Sequence, residues 1–239
     1  SNDFYGAVAS VNYNNQHNLF ATLGGGWNKY YGDHYGYVTW VKKPVDELRP
    51  QHLYYDNNTK KVDGNVYTKA TYEFRKGVSA FADLQYRYVH IQMTGPADAS
   101  SAKRKFSYDV NQTFNFFNPK FGVNYELSTS HRLYASYAIT HREPVRTNFE
   151  HNIDAQIEMP RAERLNDLEA GYEYRNKHFS AGVNFYYMNY KDQLVPTGEI
   201  KLDKAVTRNF PRSYRAGVEL IAAWMPVEWF RWDANATLS

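Results

Sequence analysis

The sequence predicts an all-β fold: an antiparallel, up-and-down transmembrane β-barrel segment of about ten strands. Three observations carry this reading. Apolar and polar residues alternate with period two in segment after segment. The breaks between segments are alternately short and long. The apolar faces begin and end with aromatic residues.

The alternation pairs the chain into hairpins. In the first, Tyr5, Ala7, Ala9, Val11 and Tyr13 share a face, and after Asn14–His17 the set Leu19, Ala21, Leu23, Gly25 and Trp27 resumes it. In the second, Val66, Ala70, Tyr72 and Phe74 turn near Arg75-Lys76-Gly77 into Val78, Ala80, Ala82, Leu84 and Tyr86. The third is "KFGVNYELSTSHRLYASYAIT", residues 120–140. There Phe121, Val123, Tyr125 and Leu127 precede Leu133, Ala135, Tyr137 and Ile139. The fourth turns at Asn176-Lys177 between Leu168, Ala170, Tyr172, Tyr174 and the strand opening at Phe179. The fifth turns around Pro226, from Tyr214, Ala216, Val218, Leu220, Ala222 and Trp224 to Phe230, Trp232, Ala234, Ala236 and Leu238. Long proline-bearing connections at 29–65, 93–118, 141–165 and 191–211 join the hairpins. Strands of roughly 9–11 residues suit a tilted crossing of a bilayer. No segment reads as a helix, and no domain boundary interrupts residues 1–239.

Composition excludes several classes. The mean hydropathy of −0.70 rules out a helical membrane bundle. Cysteine is absent, which removes disulfides and thiol chemistry. A net charge of +3, dispersed along the chain, does not point to nucleic acid. The 22 tyrosines are unusual and suit boundaries between apolar and wet surroundings. A soluble sandwich also alternates with period two. The strand length, the one-sided long connections and the aromatic ends at Tyr13, Trp27, Phe74, Tyr86, Tyr174, Phe179, Trp224 and Phe230 favour lipid over a protein core.

Several stretches resemble a known family. "NPKFGVNYELSTSHRLYASYAITHREPVR" (118–146), "PRAERLNDLEAGYEYRNKHFSAGVNFYYMNYKDQLV" (160–195) and "NFPRSYRAGVEL" (209–220) resemble the barrel of TonB-dependent outer-membrane receptors of the Bacteroidetes type, as do residues 23–40 and 83–89. The resemblance implies a 22-stranded barrel around an N-terminal plug. It implies a bacterial outer-membrane location. It also implies energised uptake, through the TonB complex, of a scarce ligand such as an iron–siderophore, haem or cobalamin. This chain shows neither the plug nor the TonB-contacting segment, and it stops at "NATLS" within a strand pattern. It therefore reads as a partial barrel domain whose open strand edges invite pairing. The expected partners are outer-membrane lipid, the TonB complex and a small metal chelate or cobalamin-like ligand. No cofactor of the chain's own is expected.

On this reading, Lys69, Glu73, Asp83, Arg87, Glu126, Asp167, Glu169, Glu173, Arg215, Glu219, Arg231 and Asp233 line the lumen and face the plug. Ligand contacts are expected where strands feed the long connections. "GWNKYYGDHYGY" offers Trp27, Tyr30, Tyr31, His34 and Tyr35; "RYVHIQM" offers His90 and Met93; "HREPVR" and the following "FEH" offer His141, Arg142, Arg146 and His151. Aromatics with arginine suit an anionic or flat aromatic ligand. No HxH or HExxH spacing supports a metal site. No catalytic residue is assigned, because GxSxG, P-loop and GxGxxG motifs are missing. Three alternatives stay open: a ten-stranded outer-membrane protease using Asp33 with His34 or His141 with Glu143, a passive porin, and a soluble binding module.

Overall fold

The computed structural model describes residues 2–43, 50–96, 107–154, 156–201 and 204–239. Strands β1 (Asn2–Asn14), β2 (Leu19–Tyr37), β3 (Leu53–Arg75), β4 (Val78–Pro96), β5 (Ser107–Glu126) and β6 (His131–Arg142) lead to a helix, α1 (Arg146–Asp154). Strands β7 (Glu163–Arg175), β8 (Phe179–Lys201), β9 (Lys204–Val227) and β10 (Phe230–Leu238) follow. All ten strands form one sheet in sequence order. Each is antiparallel to the next.

The register fixes two faces, because side chains alternate along each strand. One cross-strand row runs Ala21, Ala70, Ala82, Phe121, Tyr137, Leu168, Tyr187, Ala216. The adjacent row runs Thr22, Lys69, Asp83, Lys120, Ala138, Asp167, Met188, Arg215. The first face is apolar and open: Val66, Phe121, Val123, Leu168, Phe185 and Leu220 are all exposed. The second carries alternating charge. Helix α1 packs on this second face, through Phe149, so it is the inward one. A single-residue slip would exchange the two faces along a whole strand, which is why the pattern pins the register.

Outward aromatics form two bands. Tyr125 and Phe117 bracket Phe121 in β5, and Phe179 and Tyr187 bracket Val183 in β8. A spacing of roughly 8 residues along a tilted strand covers about 20 Å of height, close to the apolar band of an outer-membrane barrel. Ring contacts reinforce both bands: Tyr72 with Phe74 at 5.1 Å near the short turns, and Tyr187 with Tyr214 at 6.2 Å near the long connections.

Aromatic rings also lie across glycines on the inward face. Tyr67 covers Gly24, Phe81 covers Gly122, Tyr134 covers Gly171 and Tyr186 covers Gly217; a Cβ at any of these glycines would meet the ring. The missing side chain lets the ring lie along the sheet and protect the backbone beneath it. Tyr134 Oη then reaches across to donate to Asn184 Oδ1 at 3.0 Å.

The strands are longer than the expected 9–11 residues. Strands β3, β8 and β9 have 23, 23 and 24 residues. Much of what reads as long connection is strand that continues past the upper aromatic band. The alternation then inverts. In β4 the outward residues change from Ala82, Leu84 and Tyr86 to His90, Gln92 and Thr94. The inward ones change from Asp83, Gln85 and Arg87 to Val89, Ile91 and Met93, which are 0%, 3% and 0% exposed. Beyond the bilayer, water lies outside and packed protein lies inside.

The protein inside is α1, a correction to the helix-free expectation for 141–165. The nine-residue helix RTNFEHNID has only Phe149 and Ile153 as apolar anchors, four residues apart. Such a short helix is marginal alone. It forms because Phe149, fully buried, packs with Ile91, Met93, Tyr108 and Val110, with Ile153 at the margin. An Arg146–Glu150 ion pair at 2.5 Å adds support one turn apart.

Candidate functional site

The candidate site lies on the inward face where β3 and β4 pass the upper aromatic band. Lys61 and Asp63 project from β3 and Arg87 from β4, at alternate positions of adjacent strands. Glu143 enters from the connection between β6 and β7. The Arg87 guanidinium donates to both of its oxygens, Nη1 to Oε2 at 2.9 Å and Nη2 to Oε1 at 2.8 Å. Arg87 also donates to Asp63, Nε to Oδ1 at 3.1 Å and Nη2 to Oδ2 at 2.5 Å. Lys61 Nζ completes the group, 2.7 Å from Glu143 Oε1. Two cations and two anions thus satisfy one another. Bidentate arginine geometry is the arrangement in which a shielded ion pair holds best.

Glu143 is 7% exposed. Burial alone would push its carboxyl upward. The hydrogen bonds from Lys61 and Arg87 outweigh that effect and hold it below the ordinary carboxylate range. It is therefore a fixed anion, with no role for it as a proton carrier near neutral pH.

This cluster fastens one end of a strap. Past it, Arg146 Nη2 donates to Asn57 Oδ1 on β3 at 2.9 Å. Helix α1 then runs to β9. There Thr207 donates to Asn152 Oδ1 at 3.2 Å, and the His151 ring lies 3.2 Å from the Ala205 carbonyl. Asn152 Nδ2 closes the following turn on the Glu158 carbonyl at 2.7 Å. The strap is thus held by β3, β4 and β5 toward one end and by β9 toward the other. Beneath its β9 end, Asn152, Ile157, Met159, Thr207 and Asn209 help to line a cavity of about 420 Å³.

The structure places the expected lumen residues Lys69, Glu73, Asp83, Arg87, Glu126, Asp167, Glu169, Glu173, Arg215, Glu219 and Asp233 on the inward face. Lys69 opposes Asp83, and Asp83 opposes Lys120. Arg132 pairs with Glu173 at 3.1 Å, and Arg231 with Asp233 at 2.8 Å. Arg215 lies over the Tyr190 ring at 5.9 Å.

The expected ligand contacts divide between the faces. Tyr30 and His34 point inward, and Arg146 and His151 belong to the strap. Trp27, Tyr31, Tyr35 and His90 point outward. Trp27 packs on Tyr5 at 5.9 Å, and His90 contacts Thr113 at 3.0 Å. His141 stacks on Phe116 at 5.3 Å and contacts Asn118, and Arg142 pairs with Glu163. Met93 is in the buried cluster under α1. The two acid–histidine pairs considered for a protease are not assembled. Asp33 and His34 stand on opposite faces, while Glu143 is engaged by Arg87 and Lys61 and His141 by Asn118. Among the described residues no group of three or more His, Cys, Asp or Glu is placed to hold a metal ion.

The expected set leaves out Lys61, Asp63, Asn57, Phe149 and Asn152. The inversion of alternation after Arg87 signals them in the sequence: three apolar residues on the face that had been polar require a partner from a connection.

Comparison with known proteins agrees with this architecture. No curated protein matches the chain. Among solved structures, the copper transporter OprC superposes with a TM-score of 0.76 at 14% identity, over 99% of this chain and 38% of that one. The FrpB iron transporter from Neisseria meningitidis (F5-1 variant) gives 0.69 at 16% identity, over 99% and 36%. The ferric-catecholate import receptor Fiu from E. coli K12, in its closed form, gives 0.65 at 12% identity, over 100% and 38%. The chain thus spans about a third of the length of these proteins. A family model described as "TonB dependent receptor-like, beta-barrel" matches residues 1–239. The chain belongs to the TonB-dependent receptor β-barrel family, and with its outward face in lipid and its inward face toward the lumen it is a protein of the bacterial outer membrane.

Proposed function

We propose that this chain is part of the wall and mouth of an energised outer-membrane receptor that takes up a scarce ligand of the iron–siderophore, haem or cobalamin class. The observation that carries the reading is the strap. A charged, hydrogen-bonded connection is held across the lumen side of the barrel at its mouth, where an entering ligand must pass. The names of the similar structures point to metal-centred cargo: iron for FrpB, a ferric catecholate for Fiu, copper for OprC. In this reading His34, Tyr30, Arg146 and His151 offer the ligand nitrogen, hydroxyl and guanidinium groups. The lumen charges from Lys69 to Glu219 face a plug. The chain is then a portion of a barrel of about 22 strands, with β1 and β10 open for pairing. Its role is transport and not catalysis, with force supplied through the TonB complex.

The test is uptake by the source bacterium with the encoding gene disrupted. Cells starved in turn of iron, haem or cobalamin should lose accumulation of one labelled ligand, and an uncoupler should abolish that accumulation in the parent. Accumulation that persists after uncoupling would support passive diffusion instead. Unchanged uptake of every ligand would remove the proposal.

A further inference from the structure

A row of cations with no carboxylate partner among the described residues stands on the lipid-facing side of β7, β8 and β9. Arg164 lies directly opposite Lys191, and Lys191 directly opposite Arg212. All three are on the outward face, because they alternate with the inward Asp167, Met188 and Arg215 positions. All three are exposed. Directly opposed side chains have Cβ atoms about 5 Å apart, and like charges at that spacing destabilise the pair. Neighbouring arginines are neutralised: Arg142 by Glu163, and Arg161 by Glu158 and by Asp192 at 3.1 Å. Among the described residues Arg164 reaches the neutral Asn166, at 3.1 Å, and no carboxylate. Among the described residues no carboxylate pairs with these three adjacent positive charges, which leaves them open to an anion from outside the chain.

Their position says what. Lys191 is two outward positions past Tyr187, and Arg212 is one past Tyr214; these two tyrosines stack as part of the upper aromatic band. The apolar surface continues below them through Phe185 and Val183 in β8 and through Val218 and Leu220 in β9. A molecule bound there meets acyl chains below the tyrosines and three cations above them. Aromatic bands mark the level of the headgroups, and basic side chains at that level attract anionic lipid.

We propose that Arg164, Lys191 and Arg212 form a binding site for the phosphate groups of an anionic outer-leaflet lipid, whose acyl chains lie along β8 and β9. The site is separate from the strap and does not depend on which ligand is transported.

The test uses the intact protein purified in a neutral maltoside detergent. Binding of bis-phosphorylated lipid A is titrated by native mass spectrometry, beside the dephosphorylated lipid and inorganic phosphate. Each basic residue near a charged surface contributes a factor of about five. The triple variant R164Q/K191Q/R212Q should therefore lose affinity on the order of a hundredfold, and Lys191→Gln alone about fivefold. In detergent without lipid, the triple variant should melt no lower than the parent, since it relieves repulsion. Should the triple variant fail to assemble, Lys191→Gln decides the question. Equal lipid A affinity in parent and variant overturns the proposal. So does equal binding of the dephosphorylated lipid. Inorganic phosphate that competes as strongly as the lipid, mole for mole, would assign the cations to a free anion and overturn the lipid site.

Discussion

Arg87 holds Glu143 through two parallel hydrogen bonds, of 2.9 and 2.8 Å, across 56 positions of sequence. One partner is a strand residue on the lumen wall, and the other belongs to a connection that would otherwise be free above it. This contact, backed by Lys61 and Asp63, turns the connection between β6 and β7 into a strap.

Removing Glu143 leaves Arg87 and Lys61 short of an anion on a shielded surface. A buried pair broken from one side costs about 3–5 kcal/mol. Glu143→Ala should therefore undock the strap and leave the barrel standing. Limited proteolysis should cut within 145–162 in the variant and not in the parent, while heat-modifiability on gels stays the same.

Acid should act on the same contact. The Glu143 carboxyl sits below its ordinary value of 4.5 because Lys61 and Arg87 outweigh the effect of burial. A depressed folded value means that the stabilisation is complete above 4.5 and is lost as pH falls through the folded value. Hydrogen exchange in α1 should be independent of pH from neutrality down to that point, after correction for intrinsic rates. It should rise below it, and Glu143→Gln should remove the transition.

Phe149 is the apolar anchor of α1, fully buried among Ile91, Met93, Tyr108 and Val110. Phe149→Ala should cost about 3–5 kcal/mol of local stability. Amide exchange of 146–154 should then approach that of a free peptide. Exchange in the membrane portions of β4 and β5 should not change.

Phe121 lies midway between the outward aromatics Tyr125 and Phe117 and is 47% exposed in the protein alone. Phe121→Lys should destabilise folding into phospholipid vesicles by about 2–4 kcal/mol, the effect of a cation near the bilayer midplane. The neighbouring residue, Lys120, already carries that charge toward the lumen opposite Asp83. Denaturant midpoints of the two chains refolded into vesicles measure the difference. Equal midpoints would contradict the assignment of faces.

The faces were legible from sequence because period two is a local property. Phe121, Val123 and Tyr125 against Lys120, Gly122 and Asn124 need no distant information. The hairpin order followed as well, because short turns such as Asn14–His17 leave consecutive strands no choice but to pair. Strand length was not legible. Above the bilayer the outward side meets water, and the pattern that marks a strand in lipid reverses at Arg87 and reads as loop. The same boundary hid the helix and the partners of Glu143.

By itself, then, the sequence determined a sheet with one lipid face and one wet face, the turns that order it and the aromatic bands that set its depth. The tertiary structure decided the rest: which way Trp27, Tyr31 and His90 point relative to His34 and Tyr30, the strap from Glu143 to Asn152, and the company of Arg164, Lys191 and Arg212. Solvent on each side of a strand acts on successive residues and leaves its mark along the chain. A contact between Arg87 and Glu143, or between Lys191 and Arg212, depends on which strands lie side by side, and only the folded sheet brings them together.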